Sequence, residues 1–134
     1  MNVLIIDAQG GGVGRQLVGA VKQELPRAHV TAVGTNTAAT SAMLKAGADD
    51  AATGENAVVV CCRKADVILG PIGIILADAL LGEITPKMAA AVAQSPAKRI
   101  LIPFNHVDNV IVGLKDLTVA QLLEQAVEEL KKMA

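Results

Sequence analysis

The apolar run Val3-Leu4-Ile5-Ile6 is closed by Asp7 and followed by four glycines in five positions: Gly10, Gly11, Gly12 and Gly14. A continuous apolar run, rather than an alternating one, predicts a strand buried on both faces, as in a parallel sheet. Beyond the glycines, Val13, Leu17, Val18, Val21 and Leu25 recur at helical spacing until Pro26 stops the pattern. Strand, glycine turn and helix in that order open the doubly wound α/β folds, which leaves few other architectures for the chain.

The rest of the chain repeats the alternation. Val30–Val33 reads as a second strand, and Asn36 or Thr37 caps a helix running to Ala46, with Gly47 beyond its end. Ala48–Thr53 is read as a short third strand, and Gly54-Glu55-Asn56 opens a helix through Lys64 despite its β-branched Val58-Val59-Val60. Val67–Leu69 is another buried strand, followed by a turn at Gly70-Pro71-Ile72-Gly73. Thr85-Pro86 starts a helix through Gln94, an N-cap with proline at the first helical position. Ile100–Ile102 is a strand closed by Pro103, and Val110–Val112 is read as one more. Thr118 and Gln121 form a capping box for the last helix, whose apolar face is Leu122, Leu123, Ala126, Val127 and Leu130. This pattern predicts a three-layer, doubly wound α/β domain over residues 1–134, Rossmann-like and of flavodoxin-like size, with a mainly parallel sheet.

Composition narrows the function classes. Hydrophobic residues make up 52% and charged residues 19% of the 134, which is a folding chain and not a disordered one. Phe104 is the sole aromatic residue and the formal net charge is −1, so neither stacking platforms nor a basic footprint point to a nucleic acid. The apolar stretches are too short or too broken by Asp78, Gly82 and Pro86 to span a membrane, and Met1-Asn2 is no basic leader. Adjacent Cys61 and Cys62 are not a secreted-type staple. The expectation is a cytoplasmic protein whose apolar surplus goes to its core and to a homodimer interface.

The glycine loop is the main candidate site. Glycines allow close backbone approach to an anion, and free N–H groups at a helix start attract it. Arg15 adds a cation in the first turn. As a dinucleotide fingerprint, Gln9 stands in the first glycine place and Gly11 and Gly14 in the other two. The acid expected at the end of the second strand is missing, where Gly34 is followed by Thr35 and Asn36; these two are assigned to a sugar instead. As a deviant P-loop, Gly11-Gly12-Val13-Gly14 lacks the flanking lysine and the magnesium-binding hydroxyl, since Arg15 and Gln16 follow. P-loop-type hydrolysis is therefore not expected.

Across the crevice, Gly70 and Gly73 are candidates for close approach, and Asn105 and His106 follow the strand Ile100–Ile102 at its carboxyl end. Asp7 is expected to accept N–H groups of its own loop, and Glu55 to complement a helix start. Acid/base candidates for a small reductase, transferase or isomerase are His106 and Glu83. No metal site is expected, because no histidine–cysteine spacing suits one.

On Ile6–Gly14, Ala32–Asn36, Ala39–Asp49, Gly54–Val58, Gly70–Ile74 and Leu81–Pro86, the chain resembles a small bacterial family known only as a domain of unknown function. The resemblance implies a bacterial cytoplasmic protein with a glycine-rich first turn, and no assigned activity. The functional expectation rests on loop chemistry: a nucleotide, dinucleotide or other phosphorylated metabolite bound at Gly10, Gly11, Gly12, Gly14 and Arg15. Thr35, Asn36, Gly70, Gly73 and Asn105 surround it in this reading. The cofactor stays open between NAD(P) and another nucleotide. The alternatives are the small enzyme and a non-catalytic interaction subunit.

Overall fold

The computed structural model describes residues 1–104 and 108–134. Strands β1 (Asn2–Asp7), β2 (His29–Gly34), β3 (Asp50–Thr53), β4 (Val67–Pro71) and β5 (Lys98–Ile102) form one sheet. Between and after them come helices α1 (Gly12–Glu24), α2 (Thr37–Lys45), α3 (Glu55–Cys62), α4 (Pro86–Gln94) and α5 (Val119–Lys131). The strand order is β3-β2-β1-β4-β5. Each of its ladders is parallel, so the sheet expected to be mainly parallel is parallel throughout. Growth of the sheet reverses direction between β1 and β4, the Rossmann order.

The continuous apolar character of β1 has a direct cause. Val3 and Ile5 join α1, α2 and α5 in one core, through Leu17, Val21, Met43 and Leu130 among others. Leu4 and Ile6 point the other way into a second core with Val58, Met88 and Val92 of α3 and α4. Alternate side chains leave opposite faces of a strand, and here both faces are covered. The result is three layers.

Local signals set the helix starts. Asn36 accepts the N–H of Ala39 at 2.9 Å, and Thr85 accepts that of Met88 at 3.1 Å with Pro86 at the first position. Thr118 and Gln121 bond reciprocally, the capping box that starts α5. The β-branched stretch of α3 remains helical because Val58 and Cys62 lock into the second core.

Two expectations need correction. Val110–Val112 forms no ladder, and Val110 and Val112 are 91% and 95% exposed. A β-branched run becomes a strand only where a neighbour takes its hydrogen bonds, and among the described residues none does. Gly70 and Pro71 are not a turn; they continue β4, pairing with Leu101 and Ile102, and a 3-10 turn at Ile72–Ile75 follows.

Candidate functional site

At the carboxyl ends of β1 and β4, where the sheet reverses, a cavity of about 280 Å³ opens. Open α/β sheets place ligands in this crevice. One wall is the loop from Asp7 to Val13. The other comprises Pro71 at the end of β4, Leu80, Phe104 beyond β5, and Val119 at the start of α5. A cavity of about 220 Å³ lies away from the loop, against Asn2, His29 and Asp50 at the amino-terminal end of the strands.

The loop is wired by a carboxylate. Asp7 is buried; its Oδ1 accepts the N–H of Ala8 at 2.8 Å and its Oδ2 that of Gly14 at 2.7 Å, as its place before the glycines suggested. Burial pushes the Asp7 carboxyl above the ordinary aspartate range, against the pull of these two N–H groups, and the charge of Glu83 adds to the rise. Gly11 N–H donates to Ala8 O at 3.0 Å, and Gln9 N–H to Glu83 Oε1 at 2.9 Å. Among the described residues, no hydrogen bond occupies the N–H groups of Gly10, Gly12 and Val13.

The four loop glycines divide by cause. Gly11 sits in the left-handed region at φ 72°, and a Cβ there would lie 2.9 Å from Ala39 Cα. A Cβ on Gly14 would lie 2.7 Å from both Asp7 Cβ and Met43 Sδ. These two serve the turn and the packing of α1. Gly10 and Gly12 have no positive φ, and a Cβ on either would meet nothing within 4 Å. Both line the cavity.

Thr35 and Asn36 are at the end of β2 as expected, but the Thr35 hydroxyl and the Asn36 amide nitrogen are turned to Glu83. Glu83 Oε1 accepts Thr35 Oγ1 at 2.7 Å and Asn36 Nδ2 at 2.8 Å, besides the N–H of Gln9. Asn36 Nδ2 also donates to Gln9 O at 2.9 Å. The Thr35 hydroxyl above all, then Gln9 N–H and Asn36, hold the Glu83 carboxyl below the ordinary glutamate range. Glu83 is thus held as an anion, which suits a hydrogen-bond acceptor better than a general acid.

Other candidates fall elsewhere. Arg15 faces the groove between α1 and α2, with Ser41 and Lys45, rather than the crevice cavity. Gly70 is buried in β4, where a Cβ would lie 2.4 Å from Ile6 O, so it is glycine for strand packing. Gly73 packs against Leu80 and Ala79 in the 3-10 turn. Of that segment Pro71 lines the cavity, while Gly70 and Gly73 stay behind it. Asn105 and His106 lie outside the described residues. Glu55 accepts the Thr85 hydroxyl at 2.6 Å, tying α3 to the start of α4. Cys61 and Cys62 are free, with burial pushing the Cys62 thiol up to about 11. Among the described residues, no group of three or more histidine, cysteine, aspartate or glutamate side chains could hold a metal ion, and no helix is long and apolar enough to cross a membrane.

One lining residue escapes a reading by composition. Phe104, the sole member of the Phe, Tyr and Trp class, stands on the cavity wall. A single aromatic carries no pattern, and only the fold brings it opposite the glycine loop.

Fold and site together define a Rossmann-like α/β domain with a glycine-lined crevice at the switch point. The chain belongs to the family described as Domain of unknown function (DUF3842), whose model matches residues 2–134. Among solved structures it is similar to a dodecameric FMN-dependent Ubix-like decarboxylase from Escherichia coli O157:H7, at 18% identity and a TM-score of 0.47, over 98% of this chain and 76% of that one. No curated protein matches.

Proposed function

We propose that the chain binds a nucleotide or a similar phosphorylated metabolite in the switch-point crevice. Gly10 and Gly12 carry the reading: neither backbone conformation nor packing asks for glycine there, and the space a side chain would fill belongs to the cavity. Gly10, Gly12 and Val13 then supply N–H donors at the start of α1, where a helix attracts an anion.

The ionic surroundings refine the ligand. Asp7 and Glu83 bring negative charge to the same loop, which disfavours a free, multiply charged anion. They favour a phosphate attached to a body with hydroxyl groups to donate, and Leu80, Phe104 and Val119 give an apolar wall for the rest. NAD(P) and mononucleotides fit this description. No P-loop-type hydrolysis is proposed, since Arg15 and Gln16 hold the places of its lysine and hydroxyl.

We also propose a homodimer, in which Leu81, Val110 and Val112, each more than 90% exposed, supply contact area. Light scattering at micromolar concentration tests it; a monomer would refute it. Titration calorimetry with nucleotides tests the ligand reading. Saturable heat that disappears in Gly12→Asp supports it, and heat that persists in that variant overturns it.

A further inference from the structure

Nucleotide-binding sheets of this order usually carry an acid at the end of β2 that accepts hydrogen bonds from a ribose diol. This chain has Thr35 and Asn36 there. A carboxylate nevertheless stands at that place, delivered from the turn before α4, more than forty residues along the chain. Resting on the phosphate-binding reading above, we infer that Glu83 receives a sugar hydroxyl of the ligand and makes the site select an unmodified ribose over a 2′-deoxy or 2′-phosphorylated one.

The wiring of the two oxygens distinguishes this role from that of a simple staple. Oε1 takes all three donors: Gln9 N–H, Thr35 Oγ1 and Asn36 Nδ2. That alone fixes the glycine loop to the end of β2. Oε2 accepts nothing from the described residues, so an oxygen that shares the carboxylate charge remains for an outside donor. Its position is tied to the crevice, because Gln9, whose N–H Glu83 holds, lines the cavity, as does Leu80 three residues before it.

The turn that delivers Glu83 is held in a costly conformation. Leu80, Leu81 and Gly82 are consecutive left-handed residues, at φ 57°, 58° and 86°. Bulky side chains rarely adopt this region, and such strain persists where the surrounding structure enforces it. Leu81 gains no burial there, being 97% exposed. What the turn achieves is the placement of Leu80 on the cavity wall and of Glu83 on the loop.

The electrostatic consequence is selectivity. A neutral hydroxyl donates to Oε2, whereas a 2′-phosphate would bring negative charge against a carboxylate with no arginine beside it, and a 2′-deoxy sugar leaves the hydrogen bond unmade.

Titration calorimetry of the full chain with inorganic phosphate, AMP, 2′-deoxy-AMP, NAD and NADP tests this. AMP is expected to bind roughly ten- to a hundredfold more tightly than 2′-deoxy-AMP, the worth of one hydrogen bond to a charged group, and NAD more tightly than NADP. In Glu83→Gln, whose side-chain oxygen can keep the three internal donors, both ratios should fall towards one. The wild-type comparison needs no variant and stands even if Glu83→Gln fails to fold. Equal affinity for AMP and 2′-deoxy-AMP, with phosphate or nucleotide binding intact, overturns the role of Glu83 alone. Absence of binding by all five probes overturns the phosphate reading with it.

Discussion

Asp7 Oδ2 accepts the backbone N–H of Gly14 at 2.7 Å, so one N–H in the first turn of α1 is taken by the chain's own carboxylate. The N–H at the third glycine place of a dinucleotide fingerprint, a place that serves helix–strand packing, is thereby already occupied. What stays open is the nearer part of the loop, Gly10, Gly12 and Val13. The same bond explains Gly14, whose missing side chain is what lets α1 approach Asp7 and Met43.

Asp7→Ala should lower stability by about 2–4 kcal/mol in urea unfolding, because two buried N–H groups lose their acceptor. The pH dependence has a defined sign. Burial raises the folded-state Asp7 pKa above its unfolded value, so its ionisation term is fully favourable below the ordinary aspartate range and is lost as pH rises through the folded value. The stability of the wild type relative to Asp7→Asn should therefore decline as pH is raised from acid towards neutral. A difference that grows with pH would contradict the assignment.

Alanine substitutions should sort the glycines by cause. Gly14→Ala and Gly70→Ala force a Cβ to within 2.7 Å of Asp7 and Met43, and 2.4 Å of Ile6 O, respectively. Each should cost about 1–3 kcal/mol. Gly10→Ala and Gly12→Ala meet no neighbour and should leave the unfolding midpoint within about 0.5 kcal/mol of wild type, while weakening nucleotide binding in calorimetry. Gly19→Ala, inside α1 with open space around it and away from the cavity, is the control, expected to stabilise by about 0.5–1 kcal/mol.

Glu83 should leave a signature opposite to that of Asp7. Its folded-state pKa is depressed, chiefly by the Thr35 hydroxyl, so its contribution is present above the ordinary glutamate range and is lost as pH falls through the folded value. Unfolding followed from neutral pH into the acid range should show a smaller loss in Glu83→Gln than in wild type. Thr35→Val should shrink the loss partway, since Gln9 N–H and Asn36 still hold the carboxylate.

These contacts mark how far the sequence could be read. The β1–loop–α1 unit was legible because its signals are local: a run apolar on both faces, a glycine cluster, and a 3.6-residue period beyond it. The starts of α4 and α5 were legible for the same reason, since Thr85-Pro86 and Thr118 with Gln121 act within four residues. Glu83 on Thr35 was not, because the two are 48 residues apart and a loop glutamate has no periodicity to betray its partner. Phe104 on the cavity wall was hidden likewise. Gly70 misled because a glycine needed for strand packing and one needed for a ligand look the same in a sequence.

Val110 and Val112 yield the prediction that bears on assembly. Their side chains are 91% and 95% exposed and belong to neither core, so replacing both with serine removes almost no burial within one chain. Val110→Ser/Val112→Ser should keep the unfolding midpoint measured at high dilution within about 0.5 kcal/mol of wild type. If the exposed segment forms the homodimer contact, the same variant should shift the mass measured by light scattering from dimer towards monomer. Unfolding of the wild type should then depend on protein concentration and that of the variant should not, because association stabilises a folded protomer by mass action. A variant that remains dimeric at every dilution would place the contact elsewhere, with Leu81 the remaining strongly exposed apolar side chain to test.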